Sequence, residues 1–390
     1  MKRGLYFLSL LLLVSFVAVG CGGEKKEEKK AEAPKAAGIK LGSLGPLTGQ
    51  YAADGNDIKN GVLAAIEVMK GEMGPLGPVT LQPEDDACDP RQAVAAANKL
   101  INEKVTAVIG AYCSSATIPA AEPLMAAKIL MITPASTNEK ITETGHKFMF
   151  RTCGRDDDQS KAAVKFMTDH LKAKSIYIVD DKTTYSQGLA DNVEKLCAGA
   201  NLKVLGHEHV NQGDKDFSAV LTKVKAAKPD VFYVSLQNSA AAAPMLIQIA
   251  RMGIKTKILA QDAVYHPQLM ELAKKDAEGV YLTFGYTDKE TPAYKKFLEA
   301  YKTTKAAEPG AYSAYAYDSA VAYLKAVKAA GGTDPEKVKA ELLKLDFAGA
   351  SKQIKYKENG DSGSNYVIQV VKDGKFDNFW NPENGQLYKK

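Results

Sequence analysis

Tryptophan occurs once in the 390 residues and histidine five times, and neither is set out for catalysis. His146, His170, His207, His209 and His266 sit in no recognisable triad context, and the serines of "GAYCSSATIPAAEPL" lack the G-x-S-x-G elbow that exposes a nucleophile. Phosphate-binding fingerprints are missing too: "GSLGPLTG" has neither the P-loop lysine nor dinucleotide spacing. Charge of one sign is scarce. Lys and Arg number 51 against 46 Asp and Glu, a formal +5 that drops by two to +3 without Lys2 and Arg3, and no basic stripe with interleaved aromatics argues for nucleic acid. The "HEH" at residues 207–209 puts two imidazoles on one strand face, but no third ligand is visible, so a solvated face and no metal are expected. The acids Asp85, Asp86 and Asp89 read as structural, because Asp89 before Pro90 is a helix start. Nothing here argues for an enzyme or a cofactor.

What is there begins with a basic start, an apolar run "LYFLSLLLLVSFVAV" and a small Gly20 before Cys21. That is the shape of a secretory signal over residues 1–20, with an uncleaved membrane anchor as the competing reading. A cysteine directly after the small residue resembles the bacterial lipoprotein signal, although Ala18-Val19-Gly20 lacks the usual leucine; the resemblance implies that Cys21 is lipidated. Residues 21–38 have no aromatic and no periodic apolar face and read as a solvated tether. Gly22 stands where an inner-membrane retention signal has Asp, so the outer membrane is favoured where there are two. Export makes disulfides permissible, and the four cysteines after Cys21 allow three pairings.

From residue 39, strand and helix patterns alternate: "IKLGSLGPLTG", "DIKNGVLAAIEVMKG", "VTLQPEDD", "PRQAVAAANKLINE", "VTAVIGAYC", "KILMITPAS". The alternation resumes after "FMFRTCGRDDDQ" and continues through "SIYIVDD", "DVFYVSL" and "GVYLTFGYT". This predicts an α/β chain of two doubly wound parallel-sheet lobes. Ligands on such sheets sit beyond the carboxyl ends of the strands. Those ends include Gly45–Gly55, Cys113–Thr117, Ala135–Thr137, Thr183–Gln187, Leu236–Asn238 and Gln261–Val264. Ser114 to Thr117 open a helix with Pro119 near its start, so unpaired amides and hydroxyls there suit a carboxylate. A simple helix cap by Ser114 fits the same residues.

The run "EDDACDPRQAVAAANKLINEKVTAVIGAYCSSATIPAAEPLMAAKILMITPASTN", with "DKTTYSQGLA" further on, closely resembles the periplasmic leucine/isoleucine/valine-binding proteins of ABC importers. The resemblance implies two lobes joined by a three-segment hinge: residues 39–155 with 286–365, and 156–285 with 366–390. It implies that Ser114 and Thr137 bind the ligand α-carboxylate, and that the Ala135 carbonyl and the Thr137 hydroxyl receive the α-ammonium. The resemblance further implies that Asp262 supplies the charge partner from the other lobe, that Tyr185 is that lobe's ligand-site tyrosine and that Tyr312 walls the side-chain pocket. Cys88 and Cys113 match the family's disulfide. Asp54 and Gln237 depart from it, standing near positions where the family carries aromatics; if both face the pocket, a polar or basic amino acid competes with the branched-chain ones. A solvent-facing cap of a helix from Asn56 to Lys70 is the other use for Asp54. The implied protein is a monomer on a lipid anchor at the periplasmic side of the envelope, delivering an amino acid to a membrane permease. A sensory receptor serving a chemoreceptor or kinase would have the same fold.

Overall fold

The computed structural model describes residues 38–306 and 308–388; the signal segment, Cys21 and the tether up to residue 37 lie outside them. The chain begins with β1 (Ile39–Gly45), α1 (Ala52–Met69), β2 (Val79–Asp85), α2 (Pro90–Asn102), β3 (Ala107–Ile109), α3 (Ser114–Ala126), β4 (Leu130–Thr133), α4 (Lys140–Glu143) and β5 (Met149–Arg151). These strands form one all-parallel sheet, β2-β1-β3-β4-β5. β3 and β4 are buried along their whole length, as strands covered on both faces must be.

The second sheet is built from β6 (Ser175–Asp180), β7 (Lys203–His209), β8 (Val231–Ser235), β9 (Lys257–Ala260) and β10 (Tyr281–Gly285). α5 (Asp156–Lys165) leads into them, and they are joined by α6 (Thr184–Gly199), α7 (Ser218–Ala227), α8 (Ser239–Arg251) and α9 (Gln268–Ala273). After α10 (Pro292–Tyr301), α11 (Ser313–Ala330), α12 (Pro335–Leu342) and a small ladder of β11 (Phe347–Ala348) with β12 (Gln353–Ile354), the chain returns with β13 (Tyr366–Lys372), β14 (Lys375–Asn381) and β15 (Gln386–Leu387). The order is β15-β14-β13-β10-β9-β8-β6-β7. The parallel expectation holds for β6 to β10, whereas β13 to β15 are antiparallel. Asp373 and Gly374, both at positive φ, connect β13 to β14, and a two-residue turn can join only antiparallel strands.

The chain thus passes between the sheets three times, and the passages are laced to one another. Ser362 Oγ donates to the Thr152 carbonyl (2.8 Å), Arg155 N–H donates to Ser364 Oγ (3.2 Å), and Tyr286 N–H donates to the Asn365 carbonyl (2.9 Å). On the first lobe α1 lies directly against α11: a Cβ on Gly61 would stand 2.3 Å from the Ser313 carbonyl oxygen. That close approach lets the buried Asp57 of α1 collect the N–H groups of Gly310 (2.8 Å) and Tyr312 (3.2 Å) and the hydroxyls of Tyr301 and Ser313. The start of α11, with Tyr312, is fixed by this one carboxylate.

Cys88 and Cys113 are disulfide-bonded with Cα atoms 5.5 Å apart, while Cys153 and Cys197 are buried free thiols. The bridge ties the turn after β2 to the residue before α3. Asp89 caps α2 by accepting from the amides of Arg91 and Gln92. Cys88→Ser is expected to cost about 3 kcal/mol of stability, from loop-closure entropy over 25 residues. Urea unfolding with and without reductant checks this: reductant should destabilise the parent to the level of the variant and leave the variant unmoved.

Candidate ligand-binding site

The loops that follow the strand ends of the two sheets meet one another, and Asp262, just after β9, lies at the meeting point. It is buried at 2 % exposure. Its Oδ1 accepts from the Tyr185 hydroxyl and from Gln159 Nε2 (2.8 Å), and its Oδ2 accepts from the Tyr312 hydroxyl (2.7 Å). Tyr185 and Gln159 stand on α6 and α5 beneath the second sheet; Tyr312 reaches across from the first lobe. Burial pushes the Asp262 carboxyl up, against these three hydrogen bonds, which favour the anion. Asp156, one turn before Gln159, is fully buried with neither carboxylate oxygen hydrogen-bonded among the described residues. Burial raises it well above the ordinary range, and the charges of Glu139 and Asp262 add to that.

The first lobe contributes the start of α3. The helix begins at Ser114 with Cys113 as its N-cap residue, so Ser114 is not the cap. Ala116 and Thr117 turn their amides onto the Cys113 carbonyl (3.0 and 2.9 Å), and the amides of Ser114 and Ser115 are what the helix end offers to an anion. Ser114 Oγ accepts from the Asn138 amide (3.4 Å). Ala135 and Thr137 lie in the buried loop after β4, and Thr137 Oγ1 is buried without a hydrogen-bond partner.

That loop is held by Arg151, which sequence reasoning missed. The fully buried guanidinium donates to the carbonyls of Ser136 (3.4 Å), Thr137 (2.8 Å) and Asn138 (2.7 Å) and to Thr142 Oγ1 (2.9 Å). It also pairs with Asp361 through Nε (2.9 Å) and Nη2 (2.6 Å). Burial alone would raise the Asp361 carboxyl, but Arg151 and Arg155 hold it below the usual range.

Asp54 is not a solvent-facing cap: α1 starts at Ala52, placing Asp54 in its buried first turn. Its Oδ2 accepts from Asn238 Nδ2 of the second lobe (3.3 Å), which also reaches the Gln50 carbonyl (3.2 Å). Burial pushes the Asp54 carboxyl up to about 6, with His266 and Asn238 opposing. The Gln237 amide donates to Asp181 Oδ2 (2.8 Å), its carbonyl accepts from the Tyr112 hydroxyl (3.1 Å), and its Oε1 is buried without a partner. Tyr51 and Tyr112, also missed, are buried where the lobes meet. The Tyr51 hydroxyl accepts from Gln212 Nε2 across the lobes (2.5 Å), and Tyr112 meets Tyr312 edge to face at 5.9 Å. Both stand in stretches already singled out, "GQYAADG" and "GAYCSS". No hydrogen bond among the described residues joins Ser114, Ala135 or Thr137 directly to Asp262, Tyr185 or Gln237.

Arg151→Met, which leaves Asp361 buried without its main partner, is expected to cost about 3–5 kcal/mol in urea unfolding. Asp54 adds a pH dependence. Its folded value of about 6 lies above the ordinary 3.8, so the stability it contributes is present below about 4 and lost as pH rises through 6. Asp54→Asn should leave the midpoint unchanged below pH 4 and raise it above pH 6, as read by thermal melts across that window.

Three comparisons bear on this arrangement. The family model described as periplasmic binding protein matches residues 38–375. Relatives include "Leu/Ile/Val-binding protein homolog 1" of Brucella abortus, 36% identical over 81% of this chain and 85% of that one. Another is the "Leucine-, isoleucine-, valine-, threonine-, and alanine-binding protein" of Pseudomonas aeruginosa, 33% identical over 93% and 94%. Among solved structures, a leucine-binding protein from Thermotoga maritima is 32% identical with a TM-score of 0.83, over 89% of this chain and 99% of that one. A branched-chain amino acid transporter substrate-binding protein from Streptococcus pneumoniae, in complex with isoleucine, is 25% identical with a TM-score of 0.79, over 87% and 98%. With 338 of its residues matched by the model and two lobes of the same fold, this chain belongs to the periplasmic binding protein family.

Proposed function

We infer that this chain is the substrate-binding component of an ABC amino-acid importer: it captures a free aliphatic amino acid between its lobes and delivers it to a membrane permease. One observation carries the reading. Asp262 is a buried carboxylate with the hydroxyls of Tyr185 and Tyr312 on it, and the two lobes that meet there also carry the open amides of α3 and the buried hydroxyl of Thr137, which supports reading these as the two ends of one ligand site. An acid at one end and helix-terminal donors at the other complement an ammonium and a carboxylate, and burying an ammonium without a partner is costly. The Ala135 carbonyl and Ser114 complete the two ends. The relatives named for leucine, isoleucine and valine support an aliphatic side chain, which the faces of Tyr51, Tyr112 and Tyr312 would cover. A binding role without catalysis is the reading the substrate-binding relatives support, and the Ser114 hydroxyl accepts from the Asn138 amide.

Selection works by closure. The ligand touches groups of both lobes only when they meet, so it shifts the population toward the closed form, which docks on the permease. The lipidated Cys21 would hold this globule on the periplasmic side of the envelope through the tether of residues 21–38, as a monomer, with residues 39–155 and 286–365 in one lobe and the rest in the other. A second specificity has its own observation: Asp54 and Gln237 are buried where the lobes meet, and an acid there favours a ligand side chain that donates hydrogen bonds.

Thermal melts with each of the twenty amino acids, followed by calorimetric titration, separate the two. Leucine, isoleucine or valine should raise the midpoint most, since a ligand bound only to the folded state stabilises it; a larger shift with lysine, arginine or asparagine would assign the site to polar side chains. Asp262→Asn keeps the hydrogen-bond acceptor and removes the charge. It is expected to weaken binding by at least about 30-fold, the low end of the cost of breaking a buried charge pair. Unchanged affinity would remove Asp262 from the site.

A further inference from the structure

His207 and His209 stand on β7, the edge strand of the second sheet. The sequence offered no third ligand; the fold supplies one. Asp180 ends the neighbouring strand β6 in register with His209 and presents Oδ2 to both rings, 2.8 Å from His207 Nε2 and 2.6 Å from His209 Nδ1. Its Oδ1 accepts from the Lys182 amide (2.8 Å), which fixes the carboxylate and leaves Oδ2 to the histidines. Behind His207, Nδ1 lies 2.7 Å from Glu194 Oε2 on α6. The Asp180 side chain is fully buried and that of His207 nearly so, while the His209 ring is 41% exposed.

The three donor atoms of Asp180, His207 and His209 lie within 4.8 Å of one another. Two imidazole nitrogens and one carboxylate oxygen suit zinc and its neighbours, not calcium or magnesium, which take oxygen ligands in larger number. Ligand atoms around zinc, bonded at about 2.0–2.2 Å, stand roughly 3.3 Å apart in a tetrahedron, so the two Asp180 contacts need to open by about 0.5–0.7 Å. Glu194 on the far nitrogen of His207 is the outer partner that fixes the tautomer and orientation of a metal-bound imidazole.

The geometry points to a divalent transition-metal site of the zinc class on the edge of the second sheet, formed by Asp180, His207 and His209, oriented by Glu194 and open to solvent beside His209. The ion takes the place of the hydrogens now shared between the rings and Oδ2, and binding releases whatever protons those nitrogens carry beyond the neutral state. It would clamp β7 to β6 at the sheet edge, one residue before Asp181, whose carboxylate takes the Gln237 amide.

Cobalt(II) chloride titrated into the untagged full chain tests this by absorption. One equivalent should give the intense visible bands of a low-coordinate cobalt site, and one equivalent of zinc chloride should bleach them. His209→Gln, at an exposed position, and His207→Asn should each lose the bands while keeping the parent's amino-acid binding and melting midpoint to within a few degrees. Zinc should raise the parent's midpoint, and magnesium and calcium should not. No cobalt bands at stoichiometric concentration in the parent, or bands that survive in His209→Gln, would overturn the assignment.

Discussion

A guanidinium sealed from water must have both its charge and its N–H groups answered, and Arg151 answers them with pieces of chain that are far apart in sequence. Asp361 supplies the charge from 210 residues away, and the carbonyls of Ser136, Thr137 and Asn138 with the Thr142 hydroxyl take the remaining donors. One side chain therefore fixes the loop that carries Thr137 and the last passage between the lobes. The last passage and the Thr137 loop are thus tied through a single rigid fork, because a buried cation has no cheap second arrangement.

Asp57 performs the corresponding service on the other side of the first lobe. It gathers the amides of Gly310 and Tyr312 and so sets where the Tyr312 hydroxyl can reach. The groups proposed to touch ligand are thus supported by buried charges that do not touch it: Arg151 behind Thr137, Asp57 behind Tyr312, Asp181 behind Gln237. Such support holds polar groups in place before a ligand arrives, so less ordering is left to be done on binding.

How much of this was legible follows from the range of each interaction. The strand and helix alternation could be read because each element advertises itself within a few residues, and Asp89 with Pro90 marks α2 locally. Asp262, Tyr185 and the cysteine pair came through family resemblance rather than from any property of the stretch. Arg151 was hidden because "FMFRTCGR" has no local sign that its arginine is buried; the partner lies at the other end of the chain. The helix read from Asn56 in fact begins at Ala52, and Gly55 lies inside it, where a Cβ would sit 1.9 Å from the Pro46 carbonyl oxygen, so the glycine serves a close approach within the helix. The third group beside "HEH" depends on the register of β6 against β7, which no local pattern states. The antiparallel end of the second sheet turns on the two positive-φ residues Asp373 and Gly374.

The hydrogen bonds from Tyr312 to Asp262, Tyr112 to the Gln237 carbonyl, Asn238 to Asp54 and Gln212 to Tyr51 all join one lobe to the other through protein groups alone. Each contributes to the free energy of closure without any contribution from a bound molecule. The observed affinity of such a receptor is its intrinsic affinity scaled by the fraction of protein already competent to bind. Under the proposed closure, sensitivity and the time a ligand is held can be retuned through the inter-lobe contacts that lie off Asp262 and the start of α3, such as Asn238 with Asp54 and Gln212 with Tyr51.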